Sequence, residues 1–129
     1  MGNRLEGWVV LVVGFDPVAG IAMHKLLCGE GTSVYGPFTS ALIARSALRE
    51  RHVVAAIMDL PLDASDAHEL ADALVSANVP FVWISDAKSL SAAPERFQKH
   101  PRLLKPFNDR LLLERLRKLI TNRPTPQTA

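Results

Sequence analysis

Hydrophobic and polar positions fall into blocks along this chain. Five short, mainly apolar blocks cover residues 8–13, 33–35, 53–58, 79–84 and 102–104. Short continuous apolar blocks are typical of strands that are buried on both faces of a parallel sheet. We therefore predict five parallel strands, the second of which is closed by Gly36 and Pro37.

The segments between these blocks carry helix start and stop signals. Asp16 followed by Pro17 is a favoured helix start, and Ser40 is a favoured N-cap. A third helix opens at Ser65 or Asp66. The predicted helices cover residues 16–27, 40–50, 65–77 (ended by Asn78) and 109–122, with a short or broken helix within 86–100.

Alternating strands and helices predict an α/β class. We expect a flavodoxin-like (βα)5 three-layer sandwich, in which helices cover both faces of a five-stranded parallel sheet. The 129 residues, 48% of them hydrophobic, suit a single domain over residues 1–122 with a flexible tail at 123–129. No segment has the apolar length of a membrane helix or the pattern of a signal peptide, so we expect a cytoplasmic protein with no membrane contact.

Charge and composition exclude several functions. The net charge is +2, but 13 acidic residues are interleaved with 15 basic ones and no DNA-binding motif accompanies them, so nucleic acid is not an expected partner. Cys28 permits no internal disulfide and is expected to be a packed or half-exposed helix residue. Trp83 is expected to pack between the sheet and the helices. The four histidines lack metal-ligand spacing and are expected on helix surfaces or loops: His24, His52, His68 and His100. No nucleotide-binding fingerprint is present, so no organic cofactor is expected.

Polar residues follow four of the predicted strands. Asp16 comes after the first, Asp59 after the third, Ser85 with Asp86 after the fourth, and Lys105 after the fifth. Because the carboxyl ends of parallel strands meet at one edge of a sheet, we expect these side chains to converge. A carboxylate there can attack a phosphoryl group while a hydroxyl and an ammonium hold its oxygens. Asp59 is therefore the candidate nucleophile.

The spacing of these residues, together with Lys105-Pro106-Phe107, resembles the receiver domain of two-component response regulators over residues 8–120. The resemblance implies that Asp59 accepts phosphate from a histidine kinase or phosphotransfer protein. It implies that Ser85 binds a phosphoryl oxygen, that Lys105 forms an ion pair, and that the Lys-Pro peptide is cis. It also implies a phosphoacceptor signalling domain and not an enzyme.

The chain departs from this family at the metal site. Receivers usually carry two adjacent acidic residues after the first strand, which bind magnesium. Gly14 and Phe15 occupy those positions here, and neither has a side chain that can bind a metal. The remaining candidate ligands are Asp59, the backbone carbonyl of Pro61 and, one position late, Asp16. Magnesium is therefore an uncertain cofactor at a weak or absent site.

Two further departures concern switching. Arg102 occupies the position of the aromatic residue that many receivers carry on strand five, three residues before the lysine. Arginine cannot rotate into an apolar pocket as a ring does. Asp86 follows Ser85 where a small residue is usual, and it could add metal affinity or repel incoming phosphate.

Two functions remain open. In the first, the chain is a stand-alone receiver in a phosphorelay, phosphorylated on Asp59 and acting by protein contact, because it ends soon after the last helix. In the second, it is a degenerate pseudo-receiver, a phosphorylation-independent interaction module with Asp59 paired to Lys105. Expected partners are the kinase, a downstream protein and a second copy bound through residues 87–120. The apolar residues of the last helix exceed one buried stripe: Leu112, Leu113, Leu116, Leu119 and Ile120.

Overall fold

The computed structural model describes residues 8–14, 16–86, 95–97 and 102–122. One parallel sheet contains β1 (Val9–Val13), β2 (Ser33–Phe38), β3 (Ala55–Met58), β4 (Phe81–Ser85) and β5 (Arg102–Leu104) in the order β2-β1-β3-β4-β5. The described α-helices are α1 (Pro17–Gly29), α2 (Ala41–Leu48), α3 (Ser65–Ser76) and α4 (Asp109–Asn122). This confirms the flavodoxin-like α/β class. The helix predicted within 86–100 lies mostly outside the described residues, which include one 3-10 turn there, Glu95–Phe97.

Alternating side chains of the strands pack into two separate cores. Leu11 and Met58 face one core, which is completed by residues of α2 and α3, whereas Val12 and Ile57 face the other, which is completed by α1 and α4. All four are fully buried, as expected for strands that are covered on both faces. The sheet therefore lies between two layers of helices, and its carboxyl edge lies at the rim between them.

Strand β2 is longer than the sequence pattern predicts. The expected stop at Gly36 and Pro37 is wrong, because the strand continues to Phe38, which pairs with Val13 after a one-residue shift in register. Gly36 has φ +117°, and a Cβ there would lie 2.6 Å from the Val12 carbonyl oxygen. These features define a β-bulge. Proline is tolerated beside it because β2 is an edge strand.

The helix ends follow the sequence signals. Asp16 Oδ1 and Ser40 Oγ each accept a hydrogen bond from the amide three residues on, at 2.9 Å and 3.2 Å. Helix α3 begins at Ser65 as predicted, although its N-cap is Ala64, which has no side chain that can cap it. Asn78 has φ +60°, the left-handed conformation that commonly follows a helix.

Helix α4 buries one stripe of its apolar residues. Leu112, Leu116 and Ile120 are buried, and Leu113 and Leu119 are half-buried against the same core. The predicted dimer face over residues 87–120 falls partly outside the described residues and stays a prediction. Among the helices that the structure describes, none has the length and apolar character to cross a membrane.

Candidate functional site

The carboxyl ends of three adjacent strands bring together three of the predicted site residues. Asp59 directly follows Met58 of β3, Ser85 is the last residue of β4, and Lys105 directly follows β5. The Asp59 amide donates to the Val13 carbonyl at 2.9 Å, and the Lys105 amide donates to the Ser85 carbonyl at 2.9 Å. The sheet's hydrogen bonds therefore extend to the site residues and fix their backbone positions.

Asp59 and Lys105 form an ion pair. Lys105 Nζ lies 2.8 Å from Asp59 Oδ1, and the two side chains are 46% and 18% exposed. The carboxylate is therefore largely shielded from water, while the ammonium reaches it from the solvent side. The peptide between Lys105 and Pro106 is cis, as the sequence resemblance implies. This geometry places a positive charge beside the oxygen of a candidate nucleophile.

The Ser85 hydroxyl is buried at the end of β4, the strand between β3 and β5. The residue is 5% exposed, and its Oγ has no hydrogen-bond partner among the residues described. A buried polar atom without a partner costs about 1–3 kcal/mol of free energy. Such atoms are rare in native structures and usually have a reason. Because β4 lies between β3 and β5, an oxygen of a group bound to Asp59 is a suitable partner.

At the end of β1, the position where receivers usually carry an acidic side chain is occupied by Gly14. Gly14 has φ +93°, and a Cβ built there would overlap the carbonyl oxygen of Asp59 and lie 2.8 Å from Leu60 Cδ2. Its amide donates to the Phe38 carbonyl at 2.6 Å. No side chain fits at this position without moving the backbone. The neighbouring Phe15 lies outside the described residues.

The described residues offer few free ligands for a magnesium ion. Asp16 is exposed and caps α1, and the Pro61 carbonyl accepts a hydrogen bond from the Ala64 amide at 3.3 Å. Magnesium requires near-octahedral oxygen ligands, usually with one or two carboxylates. Asp59 is already paired with an ammonium, and no group of three or more His, Cys, Asp or Glu side chains suits a metal ion within the described ranges. Ligation by Asp59, Asp16 and Pro61 stays a prediction that this geometry does not favour.

Two ring side chains have contacts at this site that the sequence analysis missed. Trp83 is 1% exposed, as expected for a core residue, and its Nε1–H also donates to the Leu60 carbonyl at 2.8 Å. His68, expected on a helix surface or loop, is half-buried with its Nε2 2.5 Å from the Leu62 carbonyl oxygen. One signal was available for the first contact, because a buried indole N–H needs an acceptor.

Arg102 begins β5, and Asp86 directly follows β4. Arg102 is half-buried, lies opposite Trp83 in the sheet register, and accepts a hydrogen bond on its carbonyl from Arg115 Nη1 at 3.3 Å. Asp86 is exposed immediately after β4. Position 102 therefore has no ring whose rotation could report on the site.

The remaining polar candidates that the structure describes make no contact with the residues at this edge. The expectation that Cys28 is packed or half-exposed is wrong, because it is exposed on α1, with its Sγ 3.6 Å from His24 Nδ1. His52 is exposed, and His100 lies outside the described residues. None of them contacts Asp59, Ser85 or Lys105 in the part of the chain that is described.

Comparison with known proteins agrees with the architecture. No protein-family model and no curated protein sequence matches this chain. A response regulator receiver protein from Sinorhizobium medicae WSM419 superposes with a TM-score of 0.75 at 20% identity, covering 94% of this chain and 100% of that one. A sensor protein from Polaromonas sp. JS666 gives 0.76 at 22%, covering 92% and 99%. The BeF3-activated conformation of SdrG from Pseudomonas melonis Fr1 gives 0.71 at 24%, covering 87% and 95%.

These likenesses concern the fold. The chain is a doubly wound α/β protein with a five-stranded parallel sheet. More narrowly, it has the fold of response regulator receiver domains, matched over nearly its whole length.

Proposed function

We propose that this chain is a receiver module of two-component signalling. In this proposal Asp59 accepts a phosphoryl group from a histidine kinase or phosphotransfer protein, and the change is passed on by protein contact. The observation that carries the proposal is the Asp59–Lys105 ion pair, together with the buried, unpartnered hydroxyl of Ser85 at the end of the strand between them. These are the three groups that a phosphoryl acceptor needs: a nucleophile, a cation and a hydrogen-bond donor.

The transfer uses these three groups and one proton from solvent. A carboxylate oxygen of Asp59 attacks the phosphorus of a phosphohistidine, and a P–O bond forms while the P–N bond breaks. The electron pair stays on the imidazole nitrogen, which then takes up a proton. The Lys105 ammonium and the Ser85 hydroxyl would donate to the phosphoryl oxygens as their charge develops. Under this proposal the chain is a phosphoacceptor and not an enzyme acting on a separate substrate.

The consequence of transfer is a change of charge at a shielded site. A phosphoryl group adds about −1.5 to −2 charges at pH 7. Lys105 would then have to balance the added charge, and the Ser85 hydroxyl would gain its missing partner. Both residues belong to the ends of β4 and β5, so the neighbouring surface is where a downstream protein would detect the change. The dimer face over residues 87–120 belongs to the same proposal.

The test is phosphorylation by acetyl phosphate, followed by intact mass spectrometry. We expect one added phosphoryl group on the wild type and none on Asp59→Asn. Asp63→Asn is the matched control, because Asp63 is an exposed carboxylate four residues further along the same loop. Parallel reactions with magnesium and with a chelator show whether transfer needs the metal. A wild type that gains no mass under either condition contradicts the proposal.

A second function is favoured by Gly14. Its backbone fills the place of a metal-binding acid, and Lys105 already satisfies the Asp59 carboxylate. A phosphorylation-independent interaction module needs no more than this. The two functions differ in their tolerance of Asp59→Asn, which silences a phosphoswitch but leaves a constitutive module binding its partner. Partner capture by the wild type and by this variant, each with and without acetyl phosphate, separates them.

A further inference from the structure

The loop that follows Asp59 is fastened to the sheet by an indole. Trp83 Nε1 donates to the carbonyl of Leu60, the next residue after Asp59, at 2.8 Å. Trp83 lies opposite Met58 in the register of β3 and β4, so the bond reaches from one strand across the end of the next. Ring packing alone would fill the core. The N–H group adds a directional contact with this loop.

A second ring nitrogen holds the same loop from α3. His68 Nε2 lies 2.5 Å from the carbonyl oxygen of Leu62, whose side chain is fully buried. A carbonyl can only accept a hydrogen bond, so this nitrogen carries the proton in the contact. The His68 amide also donates to the Ala64 carbonyl at 3.1 Å. His68 therefore joins the first turns of α3 to the loop by both its side chain and its backbone.

Three consecutive carbonyl oxygens in this loop each receive a donor. Those of Leu60 and Leu62 take the two ring N–H groups, and the Pro61 carbonyl between them takes the Ala64 amide at 3.3 Å. A loop whose carbonyls are satisfied from inside the protein has few alternative conformations of equal energy. We call residues 60–64 the acceptor loop.

The two rings are themselves braced by Phe97. The Phe97 ring centroid lies 5.9 Å from that of His68 and 5.6 Å from that of Trp83, and the side chain is buried. Its neighbour Arg96 makes two hydrogen bonds of 3.0 Å to the carboxylate of Asp72 on α3. The rings that hold the acceptor loop are thus fixed against both α3 and the 3-10 turn.

We propose that Trp83 and His68 are positioning residues for Asp59: their ring N–H groups hold the acceptor loop and so keep the carboxylate against Lys105. The physical reason is that the orientation of Asp59 depends on the backbone on both of its sides. Strand β3 fixes one side, and the acceptor loop fixes the other. The consequence for phosphoryl transfer rests on the proposed function, whereas the positioning itself does not.

Four variants separate hydrogen bonding from packing. Trp83→Phe keeps an aromatic ring and removes the N–H, and Trp8→Phe is its matched control because Trp8 lies before β1. His68→Leu removes the donor, whereas His68→Gln places a side-chain N–H at nearly the same reach as Nε2. Hydrogen exchange of peptides that cover the acceptor loop should rise by about threefold to tenfold in Trp83→Phe and His68→Leu. It should stay near the wild-type rate in Trp8→Phe and His68→Gln, and exchange in β1 should not change in Trp83→Phe or in either His68 variant.

A second readout measures Asp59 itself without phosphorylation. The coupling between Asp59 and Lys105 is obtained from a double-mutant cycle of Asp59→Asn and Lys105→Met. This coupling should be weaker in the Trp83→Phe background than in the Trp8→Phe background. If the wild type accepts phosphate, the rate of phosphoryl uptake per folded molecule should be about tenfold lower in Trp83→Phe. The reason is that a slightly misplaced nucleophile reacts more slowly.

The exchange and coupling measurements can each contradict the positioning role. Unchanged loop exchange in Trp83→Phe, or equal exchange in His68→Leu and His68→Gln, overturns the proposal, even if the melting temperature falls. Faster loop exchange with an unchanged Asp59–Lys105 coupling also overturns it, because the loop would then not position the carboxylate. A wild type that takes up no phosphate contradicts the proposed function alone. Should Trp83→Phe fail to fold, the two His68 variants give the same comparison.

Discussion

The ends of β3, β4 and β5 differ from the end of β1 in what they offer a phosphoryl group. At the ends of β3, β4 and β5 lie the carboxylate of Asp59, the hydroxyl of Ser85 and the ammonium of Lys105, and the carboxylate and the ammonium are in contact. The described end of β1 offers a glycine packed against the Asp59 backbone and an aspartate that caps a helix. The polar side chains that could bind phosphoryl oxygens are therefore present at β3, β4 and β5, whereas the described end of β1 has no acidic side chain free to bind a metal.

At the end of β1, backbone contacts connect Gly14 with the end of β2 and with Asp59. The bulge at Gly36 brings Phe38 opposite Val13, and the Phe38 carbonyl then accepts the Gly14 amide at 2.6 Å. Gly14 has φ +93°, and a Cβ there would overlap the Asp59 carbonyl oxygen, so this position has no room for a side chain. Placing an acid at position 14 would therefore disturb β1, β2 and the backbone of Asp59 together.

The largest effect is expected from giving Gly14 a side chain. Gly14→Ala should lower the free energy of unfolding by about 2–5 kcal/mol, because it combines a left-handed conformation with an overlap on the Asp59 carbonyl. Gly29→Ala is the matched control, because Gly29 is helical and a Cβ there would meet nothing within 4 Å. This control should gain up to about 1 kcal/mol. Urea denaturation measures both, and equal changes would contradict the close approach at Gly14.

Asp16 provides the next test, because it has been assigned two different roles. As the N-cap of α1 it should contribute about 0.5–2 kcal/mol, which Asp16→Ala would lose. Asp16→Ser keeps a capping oxygen and removes the carboxylate. If Asp16 acts as a cap alone, the serine variant should match the wild type in stability and in magnesium titration followed by Trp83 fluorescence. Loss of a magnesium response in Asp16→Ser would instead assign the carboxylate to the metal.

The Asp59–Lys105 pair should show a smaller but measurable coupling. Ion pairs near the surface couple by about 0.2–1 kcal/mol, and the low exposure of Asp59 favours the upper part of that range. The Arg45–Glu69 pair is the matched control, with a distance of 2.6 Å and side chains 38% and 58% exposed. Double-mutant cycles at low and high salt should give the larger and less salt-sensitive coupling for Asp59 and Lys105. The reverse order would mean that solvent reaches the carboxylate.

Much of the fold could be predicted from local sequence because its signals are local. Continuous apolar blocks located all five strands, although β3 and β4 each begin two residues later than the blocks do. Capping residues located the starts of α1 and α2. The end of β2 could not be predicted in this way, because Gly36 and Pro37 have the composition of a turn. Only the pairing with β1 shows that they form a bulge.

Some residues of the candidate site could likewise be predicted from sequence, and others could not. Asp59, Ser85 and Lys105 could be predicted because each is a polar residue at the end of an apolar block. The hydrogen bonds of Trp83 and His68 to the loop could not, because they depend on the path of a loop that has no periodic pattern. The sequence shows that Gly14 lacks a carboxylate. Its positive φ and its contact with the Asp59 backbone are visible only in three dimensions.

The smallest loss of stability is expected at Ser85. Because its buried Oγ has no partner among the described residues, Ser85→Ala relieves a desolvation penalty and leaves only a small cavity, so the free energy of unfolding should not fall and should rise by up to about 1 kcal/mol. Ser40→Ala is the matched control, since the Ser40 hydroxyl accepts the Ile43 amide and its loss should cost about 1 kcal/mol.

The same Ser85→Ala variant should have a large effect on phosphoryl uptake. Removing a donor that acts on developing negative charge commonly slows a reaction by about 100-fold or more, and the rate of mass gain from acetyl phosphate measures this directly. If Ser85→Ala keeps its stability but loses phosphoryl uptake, the hydroxyl acts on a phosphoryl oxygen and has no structural role. A variant that loses as much stability as Ser40→Ala would show that Ser85 already has a structural partner. The Ser85 hydroxyl would then resemble the Asp16 carboxylate after β1, whose hydrogen bond stabilises the fold and leaves it less available to a ligand.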